Sequence, residues 1–175
     1  MKNDLTVKRS VRVAMTGLLV ALALVLGWVE HMIPISAALP GIKLGLANLA
    51  VVLAIYTLGW RAAVCVAIMK PLLSALLFAG MSGLIFSLSG AMLSLAVMLI
   101  LFRASSVTAV GCSAAGGAAH MIGQVLAAMM LTGTVQIWRV LPLLLLSGGL
   151  AGAVIGWLAA IIMRRAGAWA KEWGK

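Results

Sequence analysis

Hydrophobic positions along the chain gather into six runs: Val13–Ile33, Leu44–Leu58, Ala62–Ala79, Leu84–Phe102, Val107–Leu131 and Val140–Met163. A helix needs roughly 20 apolar residues to cross a bilayer, so the pattern predicts about six transmembrane helices. Short segments of alternating hydrophobicity separated by turn clusters, the mark of a membrane barrel, are absent. The second run is short, and Pro34, Pro40 and Gly41 break the chain before it. A short span beside such a break is expected to lie below the membrane surface, surrounded by protein. The first run follows Lys8, Arg9 and Arg12, as a signal peptide would. It has no small-x-small cleavage site and continues past the length of a signal-peptide core, which predicts an uncleaved first span.

Composition agrees with an all-α integral membrane protein. Of 175 residues, 65% are hydrophobic and 9% charged, with mean hydropathy +1.21. Such a chain has too little polar surface to be a soluble globule. The pattern divides it into a basic N-terminal segment (1–12), a membrane domain (13–163) and a basic, aromatic tail (164–175). The tail, with Trp169, Lys171 and Trp173, is expected to lie along the inner leaflet.

A net charge of +10 invites a nucleic-acid reading, but the basic residues stand singly at the ends of runs rather than in a patch. Topology accounts for them better. With the N-terminus inside, the inner side receives Lys2, Lys8, Arg9, Arg12, Arg61, Arg103, Arg164, Arg165, Lys171 and Lys175, and the outer side only Lys43 and Arg139. The positive-inside rule then places both termini in the cytoplasm. No nucleic-acid partner is expected.

Small residues recur every fourth position in the last two runs: Gly111, Ala115, Ala119, Gly123 and Ala127, then Gly148, Gly152, Gly156 and Ala160. Rows of this kind let helix backbones approach closely in lipid, and packing within the chain is the simpler expectation for them. Gly17 and Ala21 make one such step on the first run and are candidates for docking a partner subunit. Cys65 and Cys112 lie far apart in apolar sequence, with no Cys or His at metal spacing, and are read as buried, inert thiols.

Polar groups inside the membrane are expensive and therefore functional candidates. Lys70 lies nine positions past Arg61, roughly 13 Å along a helix, near mid-bilayer. Pro71 follows it and Ser74 is one turn on. Glu30 is the acid available within the runs, near the outer end of the first. A structural ion pair between Glu30 and Lys70 and a substrate-binding cation are both open readings. His120 and Gln124 stand one turn apart on the fifth run and suit either a polar cavity or interhelical hydrogen bonds. His31, beside Glu30, does not complete a metal site. In Pro40-Gly41-Ile42-Lys43-Leu44-Gly45-Leu46-Ala47-Asn48-Leu49 a tight turn precedes a helix start. A helix N-terminus favours anions, which makes Lys43 and Asn48 candidates as well.

That decapeptide, following a basic N-terminal end and a first run closing near Glu30 and Pro34, resembles the heptaprenyl diphosphate synthase component I family. The family is also called the Gx transporter family and is related to the S components of energy-coupling-factor (ECF) importers. The resemblance implies two functions. Prenyl diphosphate synthesis needs carboxylate clusters to hold Mg²⁺ against a diphosphate; Asp4, Glu30 and Glu172 are scattered, so the chain would be at most an accessory, non-catalytic subunit. An S-component-like bundle fits six spans and cytoplasmic termini. It implies a bacterial cell-membrane protein that takes a small, anionic substrate from the outer side and couples to a membrane subunit served by ATPases. Lys43, Asn48, Glu30, Lys70, His120 and Gln124 would then line the site, with Gly17 and Ala21 docking the coupling subunit. The chain has no G-x-x-x-x-G-K phosphate loop of its own, and neither metal nor cofactor is expected.

Overall fold

The computed structural model describes residues 2–32, 45–104 and 107–173. Every regular element among them is helical. α1 spans Lys2–Met32, α2 Asn48–Thr57, α3 Trp60–Ser74, α4 Gly80–Arg103, α5 Ala109–Thr132 and α6 Leu141–Trp173. A single wide turn of π-helix, Ala75–Ala79, joins α3 to α4, and a short 3₁₀ segment, Val135–Val140, leads into α6. By length and composition, four stretches among the described residues are long and apolar enough to cross a membrane: 9–30, 60–103, 109–132 and 135–166. This is a multi-pass membrane protein.

The 60–103 stretch is continuous in helical character but not in direction. Lys70 Nζ lies 3.5 Å from Ser87 Oγ, seventeen positions later, whereas a straight helix would separate them by about 25 Å. The chain therefore folds back between them. Gly80 is where it does so, at φ +67°, a left-handed conformation that glycine adopts without the steric cost of a side chain. The two runs Ala62–Ala79 and Leu84–Phe102 become the arms of a hairpin.

α2 occupies the middle of the bundle. Leu49 through Ile55 are all buried, and α2 packs against α1, α3, α5 and α6. At 10 residues, about 15 Å, α2 is too short to cross a bilayer alone, and its unsatisfied helix ends need protein around them, which is why the short second run lies inside the bundle. Gly59, at φ +93°, carries the chain from α2 into α3.

Gly148, Gly152 and Gly156 of α6 lie against Gly117, Ser113 and Ala109 of α5, so the two helices run antiparallel with backbones in contact. A Cβ on Gly156 would stand 2.6 Å from the carbonyl oxygen of Ala109. The row expected on the last run is thus the one that packs. On α5 the expected row is largely replaced. Ser113 and Gly117 face α6, while Gly116, His120 and Gly123 face α4, and Gly123 alone belongs to the anticipated series. α5 is wedged between two helices and needs two small-residue edges rather than one.

A further expectation changes. Cys112 is buried, its thiol donating to the carbonyl oxygen of Met98 at 3.4 Å, but Cys65 is exposed on the outer face of α3. α1 is helical from Lys2, and α6 continues unbroken to Trp173. Tyr56 and Phe102 meet edge-to-face at 5.0 Å, tying the α2–α3 end to the end of α4. Arg61 stacks over Trp60 at 5.3 Å.

Candidate functional site: a polar layer around the start of α2

The chain enters α2 through Gly45, whose φ of +69° makes a turn closed by Asn48 N–H donating to Gly45 O at 2.8 Å. The N–H of Gly45 itself donates to Glu30 Oε1. A backbone donor just ahead of a helix is left without an intrahelical partner, and the Glu30 carboxylate supplies one, fastening the end of α1 to the start of α2. Glu30 is therefore engaged by backbone in this structure.

Lys70 reaches the same layer from the other side. Its stem crosses α1 at Gly27, where a Cβ would stand 3.1 Å from Lys70 Cε and 4.0 Å from the Cβ of Ala47. Its ammonium donates to Ser87 Oγ on α4. One helical turn along α4 from Ser87, Gly90 receives the ring of His120: a Cβ on Gly90 would lie 2.8 Å from Nε2. His120 is buried, and with Gly45, Asn48, Gly117, Gly148 and Ile155 it lines a small cavity between α2, α5 and α6 of about 10 Å³. That is the scale of one water molecule.

The structure thus brings Glu30, Asn48, Lys70 and His120 into one layer around residues 45–48, with Lys70 and His120 meeting α4 one turn apart, at Ser87 and Gly90. Gln124 is half-buried one turn beyond His120 and does not line the cavity. Lys43 lies outside the described residues. Gly17 and Ala21 are exposed, and a Cβ on Gly17 would meet nothing within 4 Å. They face away from the bundle, which α1 touches through Leu19, Ala23 and Gly27. No group of three His, Cys, Asp or Glu side chains suited to a metal occurs among the described residues.

Sequence reasoning missed Gly27, Ser87 and Gly90, the residues that seat Lys70 and His120. Their signal was faint but present. An isolated glycine within a helical run marks a place where something comes close, and nothing in the linear pattern says what.

The fold and this layer define a non-soluble, all-helical bundle with a few polar groups gathered in its interior. The chain belongs to the heptaprenyl diphosphate synthase component I family, whose model matches residues 19–162. This component is the accessory part of the synthase and not itself an enzyme, in keeping with a chain whose three carboxylates are dispersed. No curated protein and no solved structure matches the chain.

Proposed function

We propose that this protein is a substrate-capturing membrane subunit, S-component-like, that takes a small anionic compound from the outer side of a bacterial cell membrane. In this reading the chain crosses the membrane six times with both termini in the cytoplasm. α2 and the two arms of the α3–α4 hairpin each count as a crossing, because protein rather than lipid surrounds the short second one. The observation that carries the proposal is the convergence of Lys70 with Ser87, Glu30 with Gly45, and Asn48 with His120 around one helix start. An anion there would gain the Lys70 cation and the side-chain donors of Ser87 and Asn48 in a low-dielectric setting. Gln124, one turn past His120, extends the same set along α5, and Lys43 remains a candidate from the sequence alone.

Transport would need partners. Gly17 and Ala21, turned away from the bundle, give a membrane coupling subunit a close approach to α1, and ATPase subunits would drive the cycle. A second reading is favoured by the family match: a non-catalytic membrane component that holds a prenyltransferase subunit at the bilayer for isoprenoid or quinone synthesis. Native mass spectrometry of the protein taken from its own membrane in mild detergent tests both. A retained small anion, lost on Lys70→Met, is the expected result. A stable complex with a soluble prenyltransferase and no small ligand would overturn capture in favour of the accessory role.

A further inference from the structure

The ends of the helices sort by charge. On one side of the bundle Glu30 meets Gly45, where α1 ends and α2 begins, and Gly80 turns the α3–α4 hairpin. The opposite side gathers the start of α1, the α2–α3 turn and the ends of α4 and α6, because Tyr56 packs on Phe102 and Gly156 on Ala109. Arg9, Arg12, Arg61, Arg103, Arg164 and Arg165 all lie on that opposite side, and all are exposed. Glu30, the acid whose side chain is described, is on the first side, so no described carboxylate neutralises them. Arg61 and Arg103 are further distinguished by depth. Arg61 stands 19 positions before Gly80 and Arg103 23 after it, roughly 28 and 34 Å along the two arms. A hydrocarbon core about 30 Å thick therefore places both guanidinium groups at the phosphate level of one leaflet when the hairpin tip reaches the other. The arms pack against each other, so the two arginines share a corner. Each stands next to an exposed ring, Trp60 or Phe102, and the Arg61 guanidinium is held over Trp60 at 5.3 Å.

Exposed rings beside unpaired guanidinium groups at headgroup depth match the divided polarity of a phospholipid. We propose that the α3–α4 corner is a binding site for an anionic phospholipid of that leaflet, the inner one by the positive-inside rule. Arg61 and Arg103 take the phosphate, which a guanidinium fork can hold through two parallel hydrogen bonds, and the acyl chains run beside Trp60 and Phe102. A zwitterionic headgroup would bring a further cation to two arginines that no described acid offsets, so a net negative headgroup is favoured. This site is separate from the layer around residues 45–48 and stands whether the protein captures a substrate or serves as an accessory subunit.

Native mass spectrometry of the full chain, released from nanodiscs made of equal amounts of phosphatidylglycerol and phosphatidylcholine, reads the preference as the ratio of the two lipids retained. The unaltered protein is expected to keep phosphatidylglycerol in excess. Arg61→Gln and Arg103→Gln should each lower the ratio about fivefold, equivalent to the ~1 kcal/mol that one arginine gains at an anionic leaflet. Arg139→Gln removes the same charge at the opposite end of the bundle, from a residue equally exposed, and should leave the ratio unchanged. Melting curves that coincide for all three variants establish that the fold is intact. Equal retention of the two lipids by the unaltered protein, or an equal loss in Arg139→Gln, would overturn the proposal. So would an acidic protein held at this corner in place of lipid and lost with the same two arginines.

Discussion

Gly148 on α6 rests on the backbone of Gly117 on α5, so closely that a Cβ on Gly148 would lie 2.7 Å from the Gly117 carbonyl oxygen. Backbone cannot move aside as a flexible side chain can. Gly148→Ala and Gly117→Ala should therefore each push the two helices apart and cost about 1–3 kcal/mol or more. Gly149→Ala is the control, because a Cβ there meets nothing within 4 Å; it should be neutral or slightly stabilising by helix propensity. Thermal unfolding in detergent, followed by retained monodisperse protein, measures all three.

Gly90 and His120 form a second interlocking pair, but here the obstacle is a side chain. Gly90→Ala should destabilise by driving the methyl into the imidazole. In the double variant with His120→Ala the clash disappears, so the two costs should fall short of their sum by about 1 kcal/mol or more. Additive costs would show that the ring does not lie on Gly90.

The carboxylate of Glu30 accepts from Gly45 N–H, and its loss would leave that donor unsatisfied. Glu30→Ala is expected to cost about 1–3 kcal/mol. Glu30→Gln keeps an acceptor oxygen at the same reach and should cost less than half as much. Equal effects would mean that the charge, rather than the hydrogen bond, secures the start of α2.

At Gly27 the neighbour is the flexible end of Lys70, so Gly27→Ala should fold with its melting temperature little changed. The lysine must give by a few tenths of an ångström, and retention of an anionic ligand should weaken about fivefold, the equivalent of ~1 kcal/mol. Native mass spectrometry of ligand occupancy, set beside the melting curve, separates the two effects.

The thiols offer a chemical check on the bundle. Cys65 is exposed on the lipid-facing side of α3 and Cys112 buried, so in the detergent-solubilised protein at alkaline pH N-ethylmaleimide should modify Cys65 well before Cys112, which reacts fully only after denaturation. Cys112 reacting as fast as Cys65 in the folded protein would contradict the packing of α5 against α4.

The linear pattern determined which residues form helices, because apolar run length and the need to satisfy every backbone group in lipid leave little choice. Each of the six runs is a helix among the described residues, and the Pro/Gly break before the short second run foretold its burial. Lys70, Glu30, Asn48 and His120 were legible as site candidates, since polar groups stand out against so apolar a sequence. What they touch was not. Whether Ala75–Ala79 continued α3 or turned it back depended on Gly80, and the meeting of Lys70 with Ser87 follows from that turn alone. The edges of α5 that carry the packing, Ser113 with Gly117 and Gly116 with Gly123, were, apart from Gly123, hidden for a related reason. The chain is rich in small residues on every side of that helix, so periodicity could not rank the faces. Only the tertiary structure, by placing α4 and α6 on either side of α5, chose between them, because close backbone contact requires small residues where two helices cross and leaves them idle elsewhere.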